Sequence, residues 1–174
     1  MFGSPEDNMR RVIVPCGSSK KQAPNGDPSE AFWKAEELYE GAYFTSCLTW
    51  AKSVAPDASI RILSAKHGFL PLDVKVAAYD MRFGRAGAVS VERLRAQVEA
   101  DPALLEFLDP LKDVVILGGV DYVLMARQAL GGRGRGLGQL MRSQMGGRPA
   151  GIGWQLSWFK RNRGIWPARD ASGK

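Results

Sequence analysis

The sequence predicts an α/β fold with a central, mostly parallel sheet of about four strands in a three-layer α/β/α arrangement. Three short apolar runs, at 11–15, 60–63 and 113–119, are continuous rather than alternating, which is typical of strands buried on both faces. Helical patterns separate these runs, and strands that alternate with helices favour a parallel sheet with helices on both faces. A chain of 174 residues is long enough to bury one core, so we expect a single domain over residues 1–174.

The elements are predicted to follow in the order β, α, α, β, loop, α, β, α, α. Behind the first strand, Ser29 is predicted to cap a helix over 31–39, and a second helix follows over 42–55, before Pro56. Glycine and proline punctuate residues 64–89, so this segment is predicted to be mostly loop.

The second half of the chain carries further helical patterns and one alternating segment. Helices are predicted at 91–100, 102–107, 120–130 and 136–145. Apolar side chains alternate with period two over 151–158, which predicts a fourth strand there.

Positive charge is concentrated at the C-terminal end of the chain. The formal net charge is +6, but residues 131–174 carry nine Lys or Arg against the single acid Asp170, and the rest of the chain is slightly acidic. Clustered cations are typical of a surface that binds polyanions, or of a tail that keeps the protein in solution. Tryptophans 154, 158 and 166 interleave with these charges, which favours nucleic acid as the partner.

Several classes of protein are disfavoured by composition. No apolar run approaches the roughly 18 residues of a membrane span, and the polar N-terminus lacks the apolar stretch of a secretory signal. Cys16 and Cys47 suit a reducing compartment, so we expect a cytoplasmic protein without a structural disulfide. One histidine and two cysteines do not make a zinc site, and we expect a monomer without metal or cofactor.

Each of the three strongest strands ends in small and ionisable residues. In an open parallel sheet, ligands bind outside the carboxyl ends of the strands, so three such ends predict one crevice. The three segments are Cys16-Gly17-Ser18-Ser19-Lys20, Ser64-Ala65-Lys66-His67-Gly68 and Gly118-Gly119-Val120-Asp121-Tyr122.

The first and third of these segments each allow two interpretations. Residues 16–20 can wrap an anion with backbone N–H groups, two hydroxyls and the Lys20 amine, or form a plain turn; they are not a Walker P-loop, because GxxxxGK[ST] is absent. Gly118 and Gly119 either let a sugar or phosphate approach the backbone or pack strand against helix. Asp121 is predicted to cap the following helix.

The middle segment and the residues after it supply the candidate catalytic groups. His67, the only histidine, is a candidate to bind a leaving group or phosphate, and Lys66 to neutralise an anion; the alternatives are a structural histidine and a solvated lysine. Asp80 follows a mostly apolar lead-in, which predicts a partly buried carboxylate; a helix cap or a salt bridge to Arg82 or Arg85 is the alternative.

Aromatic residues of the first half have the spacing of a helix. Trp33, Phe44 and Trp50 are therefore predicted to lie in the core rather than to form a ligand platform.

Five ordered motifs within 11–130 resemble the YaaA-like proteins and their small relatives with a SAKYG motif. Residues 12–21, VIVPCGSSKK, resemble their strand and CGxxK start, and residues 35–44 resemble their A-x-x-LY-x-G-x-x-F segment. The stretch ILSAKHGFL resembles their ILSAKYGLL, with His67 where tyrosine is usual. Tyr79-Asp80 matches the YD that follows, and Leu117-Gly118-Gly119 resembles a later strand end.

This resemblance implies a branch of the uracil-DNA glycosylase-like architecture. The better understood relatives handle nucleobases or DNA, and include phage-defence glycosylases that excise bulky modified pyrimidines. A uracil-DNA glycosylase has a water-activating aspartate just after its first strand and a histidine in a late HPS motif. Here no acid precedes Asp27 in the first turn and no late histidine exists, so Asp80 is chosen by its chemistry rather than by alignment.

The leading hypothesis is a monofunctional DNA glycosylase that flips a hypermodified base, such as a glucosylated pyrimidine, out of phage DNA and leaves an abasic site. Asp80 would stabilise the cationic sugar and orient water, while Lys66 and His67 would stabilise the leaving base. Tyr39 or Tyr79 would stack on that base.

The remaining candidates would bind the DNA around that base. Ser18, Ser19 and Lys20 would grip a flanking phosphate, and the basic C-terminal segment would follow the backbone through residues such as Arg133, Arg135 and Arg142. Two alternatives stay open: a non-catalytic DNA-binding stress protein of the YaaA type, and an enzyme that modifies free nucleobases or nucleotides.

Overall fold

A computed structural model describes residues 4–27, 31–142, 146–148 and 150–168. The strands are β1 (Arg10–Pro15), β2 (Ser19–Lys20), β3 (Phe32–Lys34), β4 (Tyr39–Glu40), β5 (Ile60–Ser64), β6 (Gly68–Leu70), β7 (Lys75–Ala77), β8 (Asp113–Ile116) and β9 (Arg135–Gly136). The helices are α1 (Ala35–Leu38), α2 (Ala42–Val54), α3 (Val91–Ala100), α4 (Pro102–Leu105), α5 (Val120–Ala129), α6 (Leu137–Leu140) and α7 (Ile152–Arg161). Single 3₁₀ turns precede β1 and β5.

Five of these strands form the central sheet, in the order β6-β5-β1-β8-β9. Strands β5, β1, β8 and β9 are parallel, with Val12 of β1 facing Ile60 of β5 and Val115 of β8; only β6 is antiparallel. The chain passes from β1 to β5 on one side and returns to β8 on the other, so the order reverses between β1 and β8. The predicted α/β class, with a mostly parallel sheet flanked by helices, is confirmed.

The core lies on both faces of the sheet because neighbouring residues of a strand point to opposite sides. Val12 and Val14 of β1 face the cluster that contains the buried side chains of α2 and α7. Ile13 between them faces the cluster formed with α3, α4 and α5. The continuous apolar runs in the sequence therefore correctly predicted that these strands are buried on both faces of the sheet.

The strongest predicted elements are confirmed. Strands β1, β5 and β8 and helices α2, α3 and α5 lie where the patterns placed them. Ser90 caps α3, because its hydroxyl accepts a hydrogen bond from the backbone N–H of Arg93 at 3.2 Å. The predicted capping residue Ser29 lies outside the described residues.

Two of the predicted elements are wrong. The segment 31–39 is not one helix but β3, the single turn α1 and β4, because β3 pairs with β7 and β4 pairs with β2. The predicted fourth strand at 151–158 is helix α7. Its buried positions are Gln155, Trp158 and Phe159, which have helical spacing, while Trp154 is exposed.

The remaining short strands fall in segments that showed no strand pattern. Strands β6 and β7 lie within the predicted loop at 64–89, and the fourth parallel strand is β9. The helix predicted over 136–145 is reduced to the single turn α6, and residues 143–145 lie outside the described part of the chain. Within the described ranges, no helix is long and apolar enough to cross a membrane.

Candidate functional site

The carboxyl ends of β1 and β8 meet where the strand order reverses, the usual position of a ligand site in an open α/β sheet. The thiol sulfur of Cys16, just after β1, lies 3.2 Å from the hydroxyl oxygen of Tyr122 on α5. Gly17 follows, and a Cβ there would lie 3.0 Å from the carbonyl oxygen of Glu40. The close approach of β4 therefore favours glycine at this position.

Tyr79 connects β4 to the carboxyl end of β5 through its hydroxyl group. Its oxygen lies 2.7 Å from the Tyr39 hydroxyl and 2.7 Å from the Ser64 hydroxyl. The Ser64 oxygen also accepts hydrogen bonds from the backbone N–H groups of Lys66, at 3.2 Å, and His67, at 3.0 Å. Both lone pairs of this buried oxygen are thus used, so the Ser64 hydroxyl donates to Tyr79.

Two lysines lie against the Tyr79 ring. The Lys20 amine is 4.4 Å from the ring centre and the Lys66 amine is 5.6 Å from it, both within cation–π range. Partial burial lowers the pKa of Lys20, while burial raises the pKa of Tyr39 and Tyr79. The tyrosines therefore stay neutral near pH 7, as hydrogen-bonding groups and aromatic surfaces.

A cavity of about 1050 Å³ opens beside this group, at the upper end of the usual range for ligand sites. Backbone pairing builds its walls: β2 is held by β4, and β3 by β7. The side chains that line it include hydroxyls, two lysines, two aromatic rings and two carboxylates. These are Ser18, Ser19, Lys20, Lys21, Trp33, Glu40, Tyr79 and Asp80.

Asp80 lines this cavity but is not partly buried, as the sequence predicted. Its side chain is 84% exposed, and an oxygen lies 3.4 Å from the Arg85 guanidinium, so the alternative of a salt bridge is observed. The prediction failed because the lead-in alternates along β7: Val76 is buried and Lys75 is exposed. Asp80 remains close enough to Lys20 to contribute to its electrostatic environment.

His67 and Lys66 lie around Tyr79, and neither is among the described residues that line the cavity. The imidazole ring of His67 meets the Tyr79 ring edge-on, 5.1 Å between centres. The carbonyl of His67 accepts a hydrogen bond from the Gln97 amide at 2.7 Å. Burial, then the charges of Lys66 and Arg93, lower the pKa of His67. A neutral imidazole is therefore favoured near pH 7.

The third strand end faces a different cavity. Gly118 has φ +121°, and a Cβ there would lie 3.1 Å from side-chain atoms of Pro15 and Tyr122, so it serves close packing. Gly118 and Gly119 line a smaller space of about 220 Å³ between α5 and α7. Gly119 is the N-cap of α5, and Asp121 lies in its first turn; the predicted cap is therefore wrong by two residues.

Two arginines predicted to follow a DNA backbone are engaged in the fold. The Arg133 guanidinium donates to the carbonyls of Phe107, Asp109 and Lys112 at 2.6 to 3.2 Å. Arg135 donates to both carboxylate oxygens of Asp113, at 2.6 and 3.2 Å. The guanidinium donors of both arginines are therefore already used within the fold.

The exposed Arg142 donates to the backbone carbonyl of Gly147. It too has a structural partner, although its side chain still faces solvent.

Sequence reasoning missed two residues of the site. Trp33 was predicted to lie in a helical core, but it is on β3 and lines the cavity. Glu40 was not selected, although it directly follows Tyr39. Within the described ranges, no group of three or more His, Cys, Asp or Glu residues could hold a metal ion.

Fold and site together define an α/β protein with a large polar cavity at the carboxyl edge of its sheet. The chain belongs to a family of unknown function (DUF6884), whose model matches residues 12–161. That range runs from β1 to the end of α7 and includes the whole cavity. Searches of curated proteins and of solved structures find no match to this chain.

Proposed function

We propose that the protein is a DNA glycosylase that hydrolyses the N-glycosidic bond of a modified base and leaves an abasic site. The observation that carries this proposal is the cavity of about 1050 Å³, where aromatic rings, hydroxyls, lysines and carboxylates converge. A space of this size is sufficient for an extruded nucleotide with a bulky substituent on its base. The motif resemblance to relatives of the uracil-DNA glycosylase-like, three-layer architecture supports the same function.

Each group lining the cavity suits one part of this reaction. The rings of Trp33 and Tyr79 offer surfaces on which a flipped base stacks. Lys20 and the hydroxyls of Ser18 and Ser19 bind the flanking phosphate. Asp80 has access to water, and its carboxylate orients a water molecule towards C1′ and stabilises the cationic sugar.

The overall reaction consumes one water molecule. Its oxygen forms the new bond to C1′ as the bond to the base nitrogen breaks, and the base leaves with the bonding electrons and takes up a proton. Lys66 lies close to the Tyr79 ring and supplies positive charge near the departing base. His67 is held in the same turn by the Ser64 oxygen.

A second candidate function is nucleic-acid binding without hydrolysis. Its specific support is the exposed Asp80 carboxylate, which lies in solvent and is paired with Arg85 rather than held by buried donors. Enzymes commonly shift the properties of a catalytic carboxylate by burial, and this one lacks that environment. An enzyme acting on free nucleobases or nucleotides stays a prediction that the same assay tests.

The test is incubation of the protein with unmodified DNA, with phage DNA containing glucosylated hydroxymethylcytosine, and with free nucleosides. Abasic sites are counted with an aldehyde-reactive probe, and the released base is identified by mass spectrometry. We expect base release from the modified DNA. Asp80→Asn should slow release by about 100-fold or more, since a positioned carboxylate contributes roughly that factor. Asp73→Asn, which changes an exposed carboxylate outside the cavity, is the matched control.

Three outcomes contradict the proposal in different ways. If no DNA releases a base although the protein still binds DNA, the protein is a nucleic-acid-binding protein without catalysis. If it hydrolyses free nucleosides but does not act on DNA, it is an enzyme of free nucleobases or nucleotides. Unchanged base release by Asp80→Asn removes Asp80 from the mechanism.

A further inference from the structure

A groove separate from the cavity lies between α2 and α7. One wall of the groove is formed on α2 by Thr45, Ser46 and Thr49. The other wall is formed by Lys160, near the end of α7, and by Arg163, two residues after that helix. The rings of Trp50 and Phe159, both almost fully buried, complete it. Its volume is about 270 Å³.

The polar groups of this groove are hydrogen-bond donors with no partner among the described residues. The three hydroxyls of Thr45, Ser46 and Thr49 form no hydrogen bond within those ranges, and Lys160 and Arg163 form neither a hydrogen bond nor an ion pair there. None of the described residues that line the groove is acidic. Two cations beside three hydroxyls match the way that proteins contact phosphate oxygens.

Arg163 is held in place by the fold rather than carried on a free tail. On one side of it, the carbonyl of Asn162 accepts a hydrogen bond from the Trp50 indole at 3.0 Å. On the other side, the backbone N–H of Gly164 donates to the Ser53 hydroxyl at 2.9 Å. A cation whose backbone is fixed in this way loses less conformational entropy on binding.

The groove begins close to the cavity along the chain. Glu40 lines the cavity, α2 starts at Ala42, and Thr45 lines the groove. From Thr45 to Thr49 the donors extend over about 6 Å of helix axis. Donors spread over this length suit an extended phosphodiester backbone better than one small anion.

We infer that this groove binds the phosphodiester backbone of a nucleic-acid strand, and that the strand continues to the base held in the cavity. The inference rests on the proposed function in taking nucleic acid as the partner. It assigns the backbone contact to the hydroxyl face of α2 and to Lys160 and Arg163, in place of the engaged Arg133 and Arg135.

The test measures binding of an unmodified fluorescent oligonucleotide, single-stranded and duplex, across a range of salt concentrations. The charge variant combines Lys160→Ala with Arg163→Ala. The hydroxyl variant combines Thr45→Val with Thr49→Val, which removes two hydroxyls and keeps the shape. The matched control combines Arg95→Ala on α3 with Arg127→Ala on α5, two exposed arginines that instead donate to the backbone carbonyls of Gln128 and Gly132.

We expect the charge variant to bind about tenfold more weakly or worse, since two charged contacts are lost. For duplex DNA, the slope of the logarithm of affinity against the logarithm of salt concentration should become shallower by about 2. The hydroxyl variant should lose severalfold affinity with an unchanged slope, because no charge is removed. The control variant should bind like the wild type.

Other results would overturn the inference. Wild-type affinity in the charge variant, or an equal loss in the control variant, would show that the groove is not the contact. Saturable binding of inorganic phosphate at the groove, without oligonucleotide binding, would assign it to a small anion. The oligonucleotide carries only ordinary bases, so its binding does not depend on glycosylase activity. If the glycosylase assay shows no base release, the binding result is therefore still valid.

Discussion

Tyr79 shows how one side chain organises a site from distant parts of the chain. Its hydroxyl joins Tyr39 and Ser64, and its ring lies beside Lys20 and His67. A buried hydroxyl costs free energy unless it is hydrogen-bonded, and here both phenols and the serine satisfy one another. The site is thereby fixed before any ligand binds, and its aromatic surface stays neutral.

His67 is a second single residue with a measurable effect, because it should make the free energy of unfolding depend on pH. Burial and neighbouring cations lower its pKa in the folded state below the ordinary value of 6.5. Between the two values the unfolded chain binds more protons, so this contribution to stability is complete above about pH 6.5 and is lost as the pH falls through the folded pKa. We expect the wild type to lose more unfolding free energy than His67→Gln over that window.

The measurement is urea unfolding of both proteins at a series of pH values between about 4.5 and 7.5. Subtracting the curve of His67→Gln removes the contribution of the carboxylates, which the two proteins share. A difference between the proteins that does not change with pH, or that changes in the opposite direction, would show that the His67 pKa is not lowered.

Short elements rather than long ones build the cavity. Strands β2 and β4 pair over two residues, and β3 and β7 over three. Pairs this short have little stability alone, and here they rest on α2 and on the main sheet. The long helices supply the core, and these small pairs carry Lys20, Trp33 and Glu40 to the cavity.

The junction between β8 and α5 provides a prediction for adjacent glycines. Gly118 has φ +121°, and a Cβ there would come within 3.1 Å of Pro15 and Tyr122, whereas a Cβ on Gly119 would meet nothing within 4 Å. Gly118→Ala should therefore lower the free energy of unfolding by about 2 kcal/mol. Gly119→Ala should cost less than about 1 kcal/mol, the modest loss expected at an N-cap.

Chemical denaturation of the two variants measures this difference directly. Because the same atoms are added at neighbouring positions, equal destabilisation would show that backbone conformation and packing at Gly118 do not limit this junction.

At the scale of the whole molecule, the C-terminal segment packs back against the start of β8 and against α2. The carboxylate of Asp113, at the start of β8, accepts from Arg135 on β9 and from the Trp166 indole at 2.8 Å. The Trp166 ring also stacks on Trp50 of α2. Basic and aromatic residues that pattern alone assigned to a DNA-binding tail are thus partly used to hold the fold together.

Asp113 should accordingly be important for global stability. Asp113→Asn leaves the Arg135 guanidinium without its ionised partner, and we expect a loss of about 2 to 3 kcal/mol in unfolding free energy. Asp80→Asn is the comparison, because its ion pair with Arg85 is exposed and should change stability by less than about 0.5 kcal/mol. Both are measured by urea unfolding at neutral pH; equal losses would contradict the assigned role of Asp113.

Prediction from sequence succeeded where a single segment carries its own signal. Continuous apolar runs located β1, β5 and β8, and helical spacing located α3. Prediction failed at 31–39, where strand pairing overrode helical spacing, and at 151–158, where an alternating pattern also fitted a helix. Residues Cys16, Ser64, Lys66 and Tyr122 were placed at strand ends correctly because such ends follow directly from the strands.

The sequence by itself determined the α/β class, the main strands and the set of polar residues at the strand ends. Burial of apolar groups within one segment is a local property, so pattern reveals it. Only the tertiary structure decided which strand ends share a cavity, that Asp80 is exposed, and that Arg133 and Arg135 are engaged while Lys160 and Arg163 are not. Those outcomes depend on partners far apart in the chain, and spacing within a segment does not encode contacts of that kind.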